Sequence, residues 1–302
     1  MYMSAQERFA NLASQELVRV GSGPGKGRGI RASLREVLSN REMLSLLVRR
    51  DLKSRYKDSA LGFVWTLVRP LTQLFIYYIV IGKFLEAERG IPDFAIYVFT
   101  GLTAYGLFSE ILSSATSSIV GNAGLIKKIY LPREIFPLAS VGSALFNFFN
   151  QFLILVVATI LLGAFPTTTD VLYLFPALMV LLVFGTAFGV LLAAVNVYLR
   201  DVQYLVEVLL LLALWASPIV YSWEMVKGVL GDSLALEIYT NNPVTLSVLG
   251  FQRAMWTAGQ GVVDSPDDLL MRLGIAFVVG CVLLVLCQRV FARLQGNFAQ
   301  AL

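Results

Sequence analysis

Between residues 61 and 290 the chain alternates long apolar runs with short breaks that carry charge, proline or glycine. Six runs are about 20 residues long, the length a helix needs to cross the hydrocarbon core of a bilayer. They are Leu61–Ile81, Ala95–Ile119, Ile135–Gly163, Val171–Tyr198, Tyr204–Tyr221 and Leu270–Val290. Ahead of the first run the pattern changes. In Met43–Ala60 the apolar residues Leu44, Leu47, Val48, Leu52 and Tyr56 recur at three- and four-residue spacing, and Arg49, Lys53 and Lys57 form a stripe on another face. Such a helix lies flat in a headgroup layer and then leads into the membrane. The predicted fold is therefore an all-α integral membrane protein with six transmembrane helices. Residues 1–30 form a flexible tail, 31–60 the amphipathic region, 61–290 the six-span domain and 291–302 a second tail.

Composition supports this class and charge orients it. The chain of 302 residues is 57% hydrophobic and only 15% charged, against about 45–50% and 25% in soluble domains. Residues 1–60 hold 12 of the 24 Lys and Arg but 6 of the 20 acids, which marks that end as cytoplasmic. Lys127, Lys128 and Arg133 make the second loop basic, and Arg289 and Arg293 follow the last run. Glu86, Glu88 and Asp93 outnumber Lys83 and Arg89 in the first loop, and six acids in Trp223–Asp268 face only Lys227 and Arg253. Both termini are expected inside, with the first run as insertion signal and no cleaved leader.

Two loops are more than connections. In Asn122–Glu134, Leu125, Ile126, Ile129 and Tyr130 give an apolar face beside Lys127 and Lys128, which reads either as a docking helix or as a solvated basic turn. Trp223–Gly261 shows helical spacing in Met225–Leu230 and Val244–Met255, split by Asn241-Asn242-Pro243. It is read as two short helices re-entering the outer leaflet between the fifth and sixth spans.

Several chemistries drop out. With no histidine, Ser-His and Cys-His nucleophile pairs and His-containing metal sites are absent. Cys281 and Cys287 fall on different faces of one helix and are read as inert thiols. GSGPGKGRG at Gly21–Gly29 has Val20 and Gly27 where a phosphate-binding loop needs glycine and Ser or Thr, so it is a linker. Any ATP chemistry must come from another chain. Polar residues inside apolar runs are costly unless they face protein or water, and Gln73, Glu110, Asn147, Asn150, Gln151 and Asn196 are such residues. Tyr77, Tyr78, Tyr97, Tyr105, Phe108, Phe146, Phe149, Trp215 and Tyr221 are the aromatics within or at the ends of the runs, candidates for lining a channel.

Five separated stretches carry a family resemblance: RDLKSRYKDSALGFVW at Arg50–Trp65, NAGLIKKIYLPREIFPL at Asn122–Leu138, NVYLRDVQYL at Asn196–Leu205, SPIVYS at Ser217–Ser222 and NPV at Asn242–Val244. In colinear order from about Leu34 onward, the chain resembles the permease subunits of ATP-binding-cassette exporters of lipid-linked polysaccharides and polyols, the O-antigen and wall teichoic acid type. The resemblance implies a homodimer of permeases in the bacterial cytoplasmic membrane, joined by two copies of a separate ATPase that holds the ATP and magnesium. The permease itself would be a transport subunit rather than an enzyme, with no cofactor of its own. Lipid-linked glycan and membrane lipids are the expected partners, and nucleic acid is not. By the same resemblance Arg41–Ala60 is the interface helix, Trp223–Met255 holds the outer gate helices, and Asn122–Glu134 is the coupling helix that meets the ATPase through Leu125, Ile126, Lys127, Lys128, Tyr130, Arg133 and Glu134. The basic stripe offers Arg49, Arg50, Lys53, Arg55 and Lys57 to a diphosphate headgroup, with Arg50 and Arg55 favoured for their planar fork. A small-substrate or drug permease of the same superfamily is the alternative, and a multi-span membrane enzyme a third reading, disfavoured because the acids of Trp223–Asp268 are scattered rather than paired.

Overall fold

The computed structural model describes residues 37, 39–56, 64–84, 86, 90–128 and 131–302, and their regular structure is entirely helical. The predicted tail 1–30 lies outside the described residues. In chain order the helices are α1 (Arg41–Tyr56), α2 (Trp65–Ile76), α3 (Phe94–Gly121), α4 (Ala123–Ile126), α5 (Ile135–Leu161), α6 (Leu174–Tyr198), α7 (Val202–Trp215), α8 (Trp223–Leu230), α9 (Leu234–Thr240), α10 (Pro243–Met255), α11 (Leu269–Leu294) and α12 (Phe298–Ala301). A π-helical stretch, Tyr77–Phe84, continues α2, and a 3-10 turn, Thr169–Tyr173, leads into α6.

Four of these helical stretches, Phe94–Gly121, Ile135–Leu161, Thr169–Tyr198 and Leu269–Asn297, are long and apolar enough to cross a membrane. They coincide with four of the six predicted runs. The other two differ in kind. The first run is helical from Trp65, with Pro70 inside it and the π-helical stretch after it; proline removes a backbone donor and disturbs the ladder there. The fifth ends at Trp215 rather than Tyr221, because Ser217-Pro218 cannot continue a helix.

After that break, short helices follow one another, each with its own cap. Ser222 accepts from the Met225 N–H, Ser233 from Leu236 and Asn242 from Val244, with Pro243 in the first turn of α10. Gly231, at φ 60°, ends α8. The expected two outer helices are therefore three, since the Gly231–Ser233 stop-and-start inserts α9.

The centre of the packing is α3, which is flanked by α5, α6 and α10, while α6 also packs on α11. Gly185 and Gly189, one turn apart on α6, let it approach α3 closely: a Cβ on Gly189 would lie 2.8 Å from the Cβ of Ala115. Small residues spaced by four are the usual solution where lipid supplies no hydrophobic drive between helices. A large apolar cluster fills the α3–α6–α10 region. A second cluster lies at the opposite end of α3 and joins Leu47 of α1 to Ile119, Ile135, Phe136, Val197, Phe291 and Phe298. There α1 docks on α5 at Gly142, where an added Cβ would meet Val48 at 2.9 Å. The basic helix is thus fixed to one end of the bundle, the basic end, and α8–α10 lie at the other.

Substitution of Gly189 by Leu is expected to destabilise the bundle by about 1–3 kcal/mol through overpacking, whereas Gly274→Leu, which meets nothing within 4 Å, leaves it unchanged. Thermal unfolding of the two purified variants in the same detergent measures the contrast. Equal melting temperatures would contradict the close α3–α6 contact.

Candidate functional site

At the basic end, Arg49, Arg50 and Lys53 are exposed on α1, while the side chain of Arg55 and all of Lys57 lie outside the described residues. Arg50 is exposed and partly engaged. Its Nε and Nη2 donate to Asp51 Oδ1 at 3.0 and 2.7 Å, and Nη2 also donates to Asn122 Oδ1 at 2.7 Å. Asn122 in turn donates to the Ser118 carbonyl at 2.7 Å. Arg50, favoured from sequence for a headgroup, also ties α1 to the start of the loop after α3, and it faces solvent together with Arg49 and Lys53.

That loop is a single turn, α4, followed by Lys127 and Lys128, both exposed. Leu125 and Ile126 are half-buried against the second apolar cluster, and Tyr130 lies outside the described residues. Arg133 and Glu134, expected on the docking surface, turn inward. The Arg133 guanidinium stands 5.6 Å from the ring centre of Phe298. Glu134 is 6% exposed and accepts from Gln288 Nε2 and Gln295 Nε2. A buried carboxylate needs such donors, and here they come from the end of α11.

Between the two ends runs a polar seam on α3 and α5. Asn147 Nδ2 donates to Glu110 Oε1 at 2.6 Å, Ser140 Oγ donates to the Ser114 carbonyl at 3.2 Å, and a Cβ on Gly106 would lie 3.5 Å from Gln151 Oε1. Ser113 and Ser117, on the same side of α3 as Glu110, are exposed. Polar side chains in an apolar bundle face protein or water, and Glu110 and Asn147 find protein in each other. Phe146 and Phe149 are also exposed on α5, 41% and 59%, on faces turned away from Asn147 and Gln151.

The other expected path aromatics are dispersed. Trp215 is exposed and Tyr78 half-buried, with Lys83 over its ring. Tyr105 and Phe108 are core residues, and the Tyr105 hydroxyl donates to the Leu210 carbonyl, joining α3 to α7. They are buried because α3 is surrounded, so neither lines an open path. Tyr221 donates to the Trp215 carbonyl and accepts from Tyr239. The side chain of Tyr77 is outside the described residues.

At the far end, the Tyr97 hydroxyl lies 2.9 and 2.8 Å from the carbonyls of Pro218 and Tyr221, and Gln252 Nε2 donates to Pro218 at 2.7 Å. Three ion pairs hold the short helices at the rim. Arg272 forks onto Glu237 at 2.6 and 3.1 Å and also donates to Asn241, Arg253 meets Asp170 at 3.3 Å, and Lys227 meets Asp264 at 3.2 Å. The Arg272 guanidinium holds the Glu237 carboxyl below its ordinary range, and the hydrogen bond from Lys227 to Asp264 raises that ammonium. None of these partnerships was predicted from sequence. The Gly185–Gly189 spacing was the one legible signal passed over.

Comparison with known proteins places the chain in context. The model of the family described as ABC-2 type transporter matches residues 42–256. The O-antigen export system permease protein RfbA of Myxococcus xanthus is 30% identical over 271 residues, covering 89% of this chain and 98% of that protein. A protein of the same name from Klebsiella pneumoniae is 26% identical, covering 86% of this chain and 95% of its own. The capsule polysaccharide export inner-membrane protein BexB of Haemophilus influenzae is 25% identical over 51% of this chain and 58% of its own.

Accessibility to a charged, water-soluble thiol reagent tests whether the seam is wetted. In a Cys281→Ala/Cys287→Ala background, Ser113→Cys and Ser117→Cys are expected to react, because a thiolate forms only where water reaches it. Ala115→Cys, at a buried position, and Val278→Cys, on the 62% exposed apolar face of α11, are expected to stay unmodified. A seam in contact with lipid would leave all four unreactive.

Proposed function

Because the chain belongs to the ABC-2 type transporter family, we propose that it is the permease subunit of an ATP-driven exporter that moves a lipid-linked polysaccharide out of the cytoplasm. The observation that carries this reading is the span of the match: O-antigen export permeases align with 86–89% of the chain, so both α1 and the short helices α8–α10 fall within it. Capsule export permeases also match, which favours a glycan polymer over a small drug.

The proposed topology has six spans, with the Trp65–Phe84 helix as the first and α7 with its Ala216–Tyr221 extension as the fifth. Support for the fifth is that the broken backbone beyond Trp215 finds protein donors in Tyr97 and Gln252, the condition under which irregular backbone is tolerated at membrane depth. Support for the orientation is charge: Arg49, Lys53, Lys127, Lys128, Arg133, Arg289 and Arg293 gather at the basic end, and Asp93, Asp170, Glu224, Asp232, Glu237 and Asp264 at the other. The positive end faces the cytoplasm in such an arrangement.

In this reading two permeases pair, and two copies of a separate ATPase dock on the loop around Lys127 and Lys128. The headgroup diphosphate is drawn to α1 by Arg49 and Lys53, and the polymer passes along the α3–α5 seam. The chain binds and conducts; ATP hydrolysis belongs to the partner.

Deleting the gene is expected to leave the cognate glycan lipid-linked on the cytoplasmic side and absent from the cell surface, with export restored by the intact gene. Undiminished surface glycan in the deletion strain would refute the proposal. Within a reconstituted permease–ATPase complex, Arg49→Ala and Lys53→Ala are each expected to raise the substrate concentration that half-saturates glycan-stimulated ATP hydrolysis about fivefold, the equivalent of about 1 kcal/mol per surface cation. An unshifted substrate dependence in the double variant would remove α1 from headgroup capture.

A further inference from the structure

The segment after the last membrane helix is built into the basic end. Past α11 the chain makes a 3-10 turn, Gln295–Asn297, and then the short helix α12. Phe298 is completely buried, packed edge-on against Phe291 at 5.7 Å and Tyr198 at 6.0 Å. The Tyr198 hydroxyl donates to the Leu294 carbonyl at 2.7 Å. Onto the same ring comes Arg133 from the loop between α3 and α5, and beside it Glu134 accepts from both Gln288 and Gln295. Three elements far apart in sequence, the end of the α3–α5 loop, the end of α6 and the end of α11, therefore meet around one side chain.

We propose that Phe298 is a positioning residue that clamps the loop bearing Lys127 and Lys128 to the ends of α6 and α11, so that displacement of the loop by the ATPase moves those two helices as well as α5. The inference rests on the proposed role of that loop. Its physical basis is the inward turn of Arg133 and Glu134. The loop is anchored at one end to α1 through Arg50 and Asn122, and at the other to the Phe298 cluster, which leaves its exposed tip as a lever between two fixed points. Packed clusters of this kind transmit displacement because they deform little.

Two measurements test it. A spin label on Lys128→Cys, in the full chain in nanodiscs with Cys281 and Cys287 replaced by Ala, reads loop mobility without any ATPase. Phe298→Ala is expected to increase that mobility, and Phe298→Leu, which keeps the apolar fill, to increase it less. In the complex with its ATPase, Phe298→Ala is expected to lower export at least about fivefold, the lower range of a coupling between sites, while assembly and basal ATP hydrolysis persist. Should Phe298→Ala fail to fold, Gln295→Leu removes one donor to Glu134 without opening a cavity and is expected to act in the same direction. Unchanged mobility, or increased mobility with undiminished export per ATP, overturns the clamp. The mobility arm stands whatever substrate is carried, so a failure of the export reading is seen separately, as a wild-type complex that transports no glycan.

Discussion

A peptide group buried away from water must find its partner inside the protein, and the structure turns on how the interrupted segment after α7 meets that demand. Ser217-Pro218 stops the helix, and the carbonyls it frees are taken up by Tyr97 of α3 and Gln252 of α10. Those two donors stand on helices that must therefore lie beside the break. The position of α10 inside the bundle, with nearly all of its residues buried, follows from the same need. Tyr97 also sets its ring edge-on to Trp256 at 4.7 Å, and the Trp256 indole donates to the Pro92 carbonyl, so one polar requirement organises the whole far end.

Helix α3 carries two interfaces of opposite character. Toward α6 it is dry and close, with Gly185 and Gly189 opposite Ile111 and Ala115. Toward α5 it is polar, with Glu110, Ser114 and Asn147 bonded across the contact. The dry side holds the helices at fixed separation. The polar side supplies groups that water or a hydroxyl-rich polymer can engage.

Charge divides the molecule along its length, and it is used differently at the two ends. At the rim near α8–α10 the ions are paired, most closely in the Arg272–Glu237 fork. At the basic end Arg50 is bonded to Asp51 and Asn122, and Arg49, Lys53, Lys127 and Lys128 face outward. The first arrangement fastens short helices to their neighbours. The second concentrates unneutralised positive charge on one surface, where anionic headgroups or an acidic partner surface would meet it.

The sequence by itself determined the helical membrane class, four of the long apolar helices to within about two residues except at the end of the last, which runs on to Leu294, the basic amphipathic α1 and the polarity of the two ends. Those features depend on hydrophobic run length, helical period and net charge, all local properties. It also marked Glu110 and Asn147 as misplaced in hydrocarbon, though not that they meet each other. Only the tertiary structure decided which candidate side chains are free to act. Arg50 has the forked geometry that suits a phosphate, and the fold adds a bond to Asn122, 72 positions away. Tyr105 and Phe108 matched the expected aromatic type, yet they are buried because four helices close around α3. Glu134 looked like a surface charge beside Lys127 and Lys128, but its donors, Gln288 and Gln295, come from more than 150 residues further on. Residues 291–302 read as a tail because no periodic pattern follows the last span, whereas Phe298 is buried by Tyr198, Phe291 and Arg133. Exposure and partnership are set by contacts between distant segments, and a linear pattern carries no record of which segments those will be.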